Sequence, residues 1–444
     1  MKNWYILISW LFISSLIITK TWAQNSTEDQ KMQWFKDAKL GIFIHWGIYS
    51  VNGIDESWSF FNDYISYDDY MKQLDGFTAS NYAPEKWAQL IKSSGAKYAV
   101  ITAKHHDGVA LWNSQASDLT VVNKTPANKD LIAPFMDALE KEGLKKGLYY
   151  SVLDWSHPDY DRKTRTKYRY KNDPERFQKF VDFNFKQLEE LSSTFNPDLY
   201  WFDGDWEHKA EEWRSKELKA QLLKWNPSVI INSRIGGNLG DYDTPEQGVP
   251  VTKPDSKYWE LCLTMNNSWG YQHNDDNYKS PNELLRIFVD CLHMGGNLLL
   301  DIGPKPDGSI PDEAVNILES FGRWTDKHAA AIYDTQAGIP EGHVYAPTTL
   351  SKDRKTLYIY LDYKVNESLV IKGLKNKINR IWVVGNGTKL DHREVGKQYW
   401  SKVPGLKYVD IPDNVYDKDI TVIAVLLDGE VDLYREKGQV IESN

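Results

Sequence analysis

The chain has 444 residues, beyond the size at which one hydrophobic core usually stops growing, so a large domain with a smaller companion is expected. An apolar share of 41% with 26% charged residues is that of a folded globular protein and excludes a disordered or low-complexity chain. A formal net charge of -9, without clustered Lys and Arg, excludes a nucleic-acid partner.

Residues 1–23 open with Met1-Lys2-Asn3, continue through an apolar run from Trp4 to Ile18 and close on Thr21-Trp22-Ala23. This is the pattern of a cleaved secretory signal peptide, and it implies export to a periplasmic or extracellular space, or to a lysosome in a eukaryote. No membrane span is expected after cleavage. Cys262 and Cys291 are the only two cysteines, and both fall in apolar segments, so no disulfide framework is expected to carry the fold.

Short apolar runs follow at Leu40–His45, Tyr98–Thr102, Gly147–Val152, Leu199–Asp203, Val229–Asn232, Trp259–Leu263 and Asn297–Ile302. Amphipathic stretches separate many of them, at Pro84–Ser93, Leu131–Glu142, Glu175–Leu191 and Asn282–His293, with another at Asp312–His328. Strands alternating with helices over this length predict a (β/α)8-like TIM barrel, irregular because only seven strands stand out. From Gly338 the period changes to two, in runs such as Thr356–Leu361, Leu369–Lys372, Arg380–Val384 and Ile420–Leu427, which predicts a C-terminal antiparallel β-sandwich. The expected division is a signal over residues 1–23, a catalytic domain over 24–337 and a sandwich over 338–444.

In such a barrel the chemistry sits where the strands end. Those ends carry His45-Trp46, His105-His106-Asp107, Tyr149-Tyr150, Trp201-Phe202-Asp203, Arg234 and Trp259-Glu260, with Trp269 following. With 18 Trp and 26 Tyr in the chain, flat rings with polar edges are available to face sugars. The adjacent His105 and His106 have no third ligand at a recognised metal spacing, so no metal and no cofactor are expected, and the imidazoles read as hydrogen-bonding groups for hydroxyls. Glycoside hydrolysis needs two carboxyl groups. Asp203 closes its strand beside Trp201 and the small Gly204, which leaves room for a ring to approach; Glu246 in a loop and Glu260 at a strand end are both candidates for the second.

Taken together, Gly41-Ile42-Phe43-Ile44-His45-Trp46-Gly47-Ile48-Tyr49-Ser50, the Lys-His-His-Asp-Gly core of Lys97–Trp112, Gly147-Leu148-Tyr149-Tyr150-Ser151, Trp201-Phe202-Asp203-Gly204, Lys257-Tyr258-Trp259-Glu260-Leu261-Cys262 and Gly295–Pro304 resemble the α-L-fucosidases of glycoside hydrolase family 29. The resemblance runs in the family's order over roughly residues 33–335. It implies a barrel followed by a β-sandwich, and a retaining exo-α-L-fucosidase with Asp203 as nucleophile and a fucosylated glycan as substrate. It also implies that His45, His105, His106, Tyr150, Trp201 and Arg234 bind or flank the fucose ring, that Trp269 packs near its methyl group and that Trp112 lines the same wall. Relatives carry a Glu-Trp pair where this chain has Glu56-Ser57-Trp58, which makes Glu56 and Trp58 further candidates. Glu246, in a Thr-Pro-Glu setting 12 residues after Arg234, is favoured as acid/base over Glu260, because a loop can carry an acid over the leaving group. A glycosidase of altered sugar specificity and a non-catalytic sugar-binding protein are the alternatives. Oligomeric state leaves no mark on the sequence.

Overall fold

The computed structural model describes residues 30–161 and 173–435; the expected signal segment lies outside them. A helix over residues 30–38 leads into β1 (Leu40–Ile44), followed by β2 (Tyr98–Lys104), β3 (Lys145–Ser151), β4 (Leu199–Asp203), β5 (Ile230–Ile231), β6 (Glu260–Thr264) and β7 (Asn297–Ile302). Every pairing among the seven is parallel, in the order β5-β4-β3-β2-β1-β7-β6. The expected strands are all present, several shifted by a residue or two.

Between β5 and β6 the sheet does not stay open. Residues 241–247 bridge both: Ser233 N–H donates to Tyr242 O at 2.8 Å, Glu260 N–H to Asp243 O at 2.9 Å and Gln247 N–H to Cys262 O at 2.9 Å. This segment occupies the eighth position of the barrel. Its pairing is too broken for a regular strand because Pro245 has no N–H to give, although its carbonyl accepts from Cys262 N–H at 3.1 Å. The irregularity expected from the sequence is therefore located here.

Helices α1 (Pro84–Ser93), α2 (Ile132–Glu142), α3 (Pro174–Phe195), α4 (Ser215–Trp225), α5 (Pro281–Met294) and α6 (Asp312–Ile332) connect the barrel strands or follow the last of them. Proline at N1 or N2 opens α1, α3 and α5. The side chains of Asp173 and Ser280 accept from the Arg176 and Glu283 N–H groups and so cap α3 and α5. Helix α4 was not expected.

Strand alternation sorts the core in two. Ile42, Tyr150, Phe202 and Leu261 point outward into the layer between barrel and helices, whereas Phe43, Tyr149, Trp201 and Cys262 fill the barrel interior. Beyond α6 the chain forms a five-stranded antiparallel sheet facing a three-stranded one, around a separate aliphatic core that includes Leu357, Ile359 and Val425. The first strand of the larger sheet, Gln336–Ala337, precedes the expected boundary at 338 and already pairs with Thr348–Leu350. Trp324 of α6 donates its indole N–H to Ile420 O at 2.9 Å and ties the sandwich to the barrel.

Gly204 follows β4 with a φ of 92°, and a Cβ there would lie 2.4 Å from Leu153 Cγ. The small residue therefore meets a backbone and packing requirement, and room for a sugar ring is not the reason for it. Gly204→Ala should cost about 1–3 kcal/mol from strain and overlap and lower the thermal midpoint, read by calorimetry; an unchanged midpoint would contradict this account.

Candidate active site

At the C-terminal ends of the barrel strands a cavity of about 280 Å³ is lined by side chains that include His45, Glu56, Trp58, His105, Trp201, Asp203, Arg234, Glu246 and Trp269. These nine were all expected from the sequence. Phe43, Tyr149 and Trp206 also line it; Tyr149 was read at a strand end without a role, and Phe43 and Trp206 were not singled out for the site.

Asp203 is 8% exposed and held at both oxygens. Tyr149 O–H donates to Oδ2 at 2.8 Å, and Arg234 Nη1 donates to Oδ1 at 2.9 Å. The second terminal nitrogen of the same guanidinium, Nη2, donates to Glu246 Oε2 at 2.7 Å, and Nε donates to Thr244 Oγ1 at 3.1 Å. Arg234 also lies over the Trp201 ring, 4.5 Å from its centroid. Burial disfavours charge on Arg234, but Asp203 and Glu246 outweigh it and hold the guanidinium charged. The two carboxyl groups thus stand on neighbouring nitrogens of one cation. Glu246 is on the barrel's closing segment, bonded into the wall through its neighbours Pro245 and Gln247, and not on the free loop expected.

The imidazoles are oriented from behind. His105 Nδ1 pairs with Ser57 Oγ at 2.5 Å and His45 Nδ1 with Asp301 Oδ1 at 2.7 Å. His106 Nδ1 meets Ser151 Oγ at 2.6 Å, and that hydroxyl already donates to Leu153 O at 2.9 Å. Ser151 therefore accepts from His106, which puts the ring proton on Nδ1. Burial pushes the His106 pKa down to about 3, so Nε2 carries a lone pair at neutral pH. That lone pair faces Asp203 Oδ2 across 3.7 Å, an acceptor opposite an acceptor, so no hydrogen bond joins them and each is left able to accept from a hydroxyl. His45 and His105 are likewise kept neutral by burial.

Glu56 accepts from Gly270 N–H at 2.5 Å and so fastens the loop that carries Trp269; burial raises its pKa to about 7. Trp269 packs on His45 with ring centroids 5.0 Å apart. Trp58 meets His106 edge-on at 5.4 Å.

Three expectations are corrected. Tyr150 faces the helix layer, where its O–H donates to Asn184 Oδ1 at 2.8 Å; its neighbour Tyr149 has the parity of Trp201 and Asp203 and reaches the site. Trp112 belongs to the same outer layer and donates to Glu190 Oε2 at 3.1 Å on α3. Glu260 lies inside the barrel beneath Trp201, fully buried, accepting from Trp201 Nε1 at 3.2 Å and from Tyr98 O–H, and it does not line the cavity. Its partners are both aromatic donors. His106 stands just behind the lining residues, against Asp203.

Burial raises the Glu260 pKa to about 8, against 4.5 for the free group. The folded chain then binds more protons than the unfolded one between these values, so this group removes stability as pH rises through that window. Glu260→Gln should abolish that loss, gaining on the native protein by a few kcal/mol between about pH 4.5 and 8. Chemical denaturation at several pH values measures it; parallel curves for the two proteins would refute it.

The alpha-L-fucosidase family model matches residues 13–330. The tissue alpha-L-fucosidase of Rattus norvegicus is 34% identical over 333 residues, covering 68% of this chain and 69% of the relative. Among solved structures, alpha-L-fucosidase isoenzyme 1 from Paenibacillus thiaminolyticus superposes with a TM-score of 0.83 at 31% identity, covering 90% of this chain and 100% of that one. A family 29 alpha-L-fucosidase from Bacteroides thetaiotaomicron, described as a trapped covalent intermediate in complex with 2-fluoro-fucosyl fluoride using a Glu-to-Gln mutant, superposes with a TM-score of 0.81 at 28% identity, covering 90% of this chain and 97% of that one. With the barrel, the sandwich and the carboxylate pair in place, these matches establish that the chain belongs to the α-L-fucosidase family of glycoside hydrolases, family 29.

Proposed function

We propose that the chain is a retaining exo-α-L-fucosidase in which Asp203 is the nucleophile and Glu246 the acid/base. The observation that carries this reading is the pair of carboxyl groups on one guanidinium inside an aromatic-walled cavity. Asp203 attacks the anomeric carbon of a terminal α-L-fucosyl residue. The glycosidic C–O bond breaks as Glu246 gives its proton to the departing oxygen. Glu246 then takes a proton from water, the water oxygen attacks the same carbon, and the ester to Asp203 breaks, so configuration is retained. The trapped covalent intermediate described for the Bacteroides relative supports a two-step course.

Arg234 and Tyr149 fix both oxygens of the nucleophile, so little reorganisation is needed at the moment of attack. Glu246 has a side chain 41% exposed, able to leave the guanidinium, take up a proton and face the aglycone. Neutral His45, His105 and His106 accept from or donate to ring hydroxyls, and Glu56 joins them. Trp58, Trp201 and Trp269 exclude water and pack on the apolar faces of the sugar. A sugar-binding protein without catalysis would need rings and imidazoles but not this carboxylate pair. Export through a signal over residues 1–23, ahead of a catalytic unit over 24–337 and a sandwich over 338–444, belongs to the same reading and rests on the apolar run Trp4–Ile18.

Asp203→Gly should fold normally and lose hydrolysis of an aryl fucoside by several orders of magnitude, with azide restoring turnover as a fucosyl azide of inverted configuration. Near-native turnover by the folded variant would end the assignment. Glu246→Gly should be impaired mainly on fucosides with poor leaving groups, and Glu260→Gly should not show that selectivity. The opposite pattern would transfer the acid/base role to Glu260.

A further inference from the structure

A second cavity, of about 400 Å³, opens at the other end of the barrel, where the strands begin. Six cations line it: Lys36 and Lys39 just before β1, Lys253 and Lys257 before β6, Arg354 from the turn ahead of strand Thr356–Leu361, and Arg435. None of the described lining residues is Asp or Glu. In a chain of net charge -9 such a cluster is not the background composition.

Lys39 makes the cluster chemically pointed. The residue is 1% exposed, yet among the described residues its ammonium has neither an ion pair nor a hydrogen bond. Burial lowers its pKa to about 8 against the pull of Asp37 and Asp334, and Lys36 pushes it the same way as burial. Lys39 and Arg354 also both hold left-handed backbone, with φ of 63° and 57°, a conformation that costs a side-chain-bearing residue energy and persists only when the surrounding fold imposes it. A buried ammonium without a bonded partner is unfavourable until an anion enters or the proton leaves.

We propose that this cavity is an oxyanion site, which takes a sulfate, phosphate or carboxylate group either as a free ion or carried on a sugar. Basic side chains from four separate segments line one space, and such groups can give short charge-assisted hydrogen bonds to a multi-oxygen anion. The volume accommodates a sugar unit together with its acidic group. Placed at the strand starts, the site is separate from the fucose cavity at the strand ends, and its occupancy is expected to leave the hydrolytic step untouched.

Calorimetric titration of the full chain with sodium sulfate, at ionic strength held constant with sodium chloride, tests this directly. Saturable one-to-one binding is expected, at least tenfold weaker in Lys39→Met and in Arg354→Gln, with aryl-fucoside hydrolysis unchanged in both. Arg354→Gln alone carries the test if circular dichroism shows that Lys39→Met does not fold. N-acetylglucosamine 6-sulfate binding at least tenfold tighter than inorganic sulfate would assign a sugar-borne group; equal affinity would assign the free ion. No saturable binding of either probe, or binding unaltered in the folded variants, would overturn the proposal.

Discussion

The active site depends on one cation. Arg234 is largely buried, lies over the Trp201 ring, and spends its nitrogens on Asp203, Glu246 and Thr244. Two carboxyl groups brought together in a low-dielectric cleft would repel each other, and a shared guanidinium removes that repulsion while fixing their separation. Remove that charge and the pair has no reason to stay together. The same guanidinium also contacts the Trp201 ring, whose indole N–H is held from beneath by Glu260, so the carboxylate pair and the aromatic wall meet at one group.

That support is available only because of how the barrel closes. Arg234 follows a strand of two residues, and Glu246 lies on the segment that bridges β5 and β6 in place of a regular eighth strand. A regular strand would alternate its side chains evenly between core and helix layer. The broken pairing around Pro245 instead leaves Glu246 half exposed at the rim while Cys262 fills the interior beside it. The irregular part of the barrel and the acid/base candidate are the same stretch of chain.

Behind the cavity, a second set of contacts keeps three imidazoles neutral and oriented. Ser57, Ser151 and Asp301 each hold one ring nitrogen, and burial does the rest. Neutral imidazoles suit a substrate that carries hydroxyls and no charge, because each ring can accept or donate without placing an uncompensated charge near the nucleophile. The two ends of the barrel therefore differ in character: one lined by paired charges and neutral rings, the other by a cluster of basic side chains.

The sequence by itself determined the strand-and-helix rhythm, the change to period two near Gly338 and the strand ends that bear His45, His105, Asp203 and Arg234. These follow from local periodicity and from turn residues, which act over a few positions. Most of the site was legible as well, because motifs at strand ends keep their neighbours. Tertiary structure decided the rest. Tyr149 was within reach of sequence reasoning, since it has the in-register parity of Trp201, but Tyr150 is its adjacent twin and only the side each faces separates them. Trp112 joined the helix layer because Glu190, 78 residues away, meets its indole. Glu246 and Glu260 both looked able to complete the pair; the closing of the barrel set one beside Asp203's cation and buried the other beneath Trp201. Such outcomes depend on contacts between residues far apart in the chain, which no local pattern encodes.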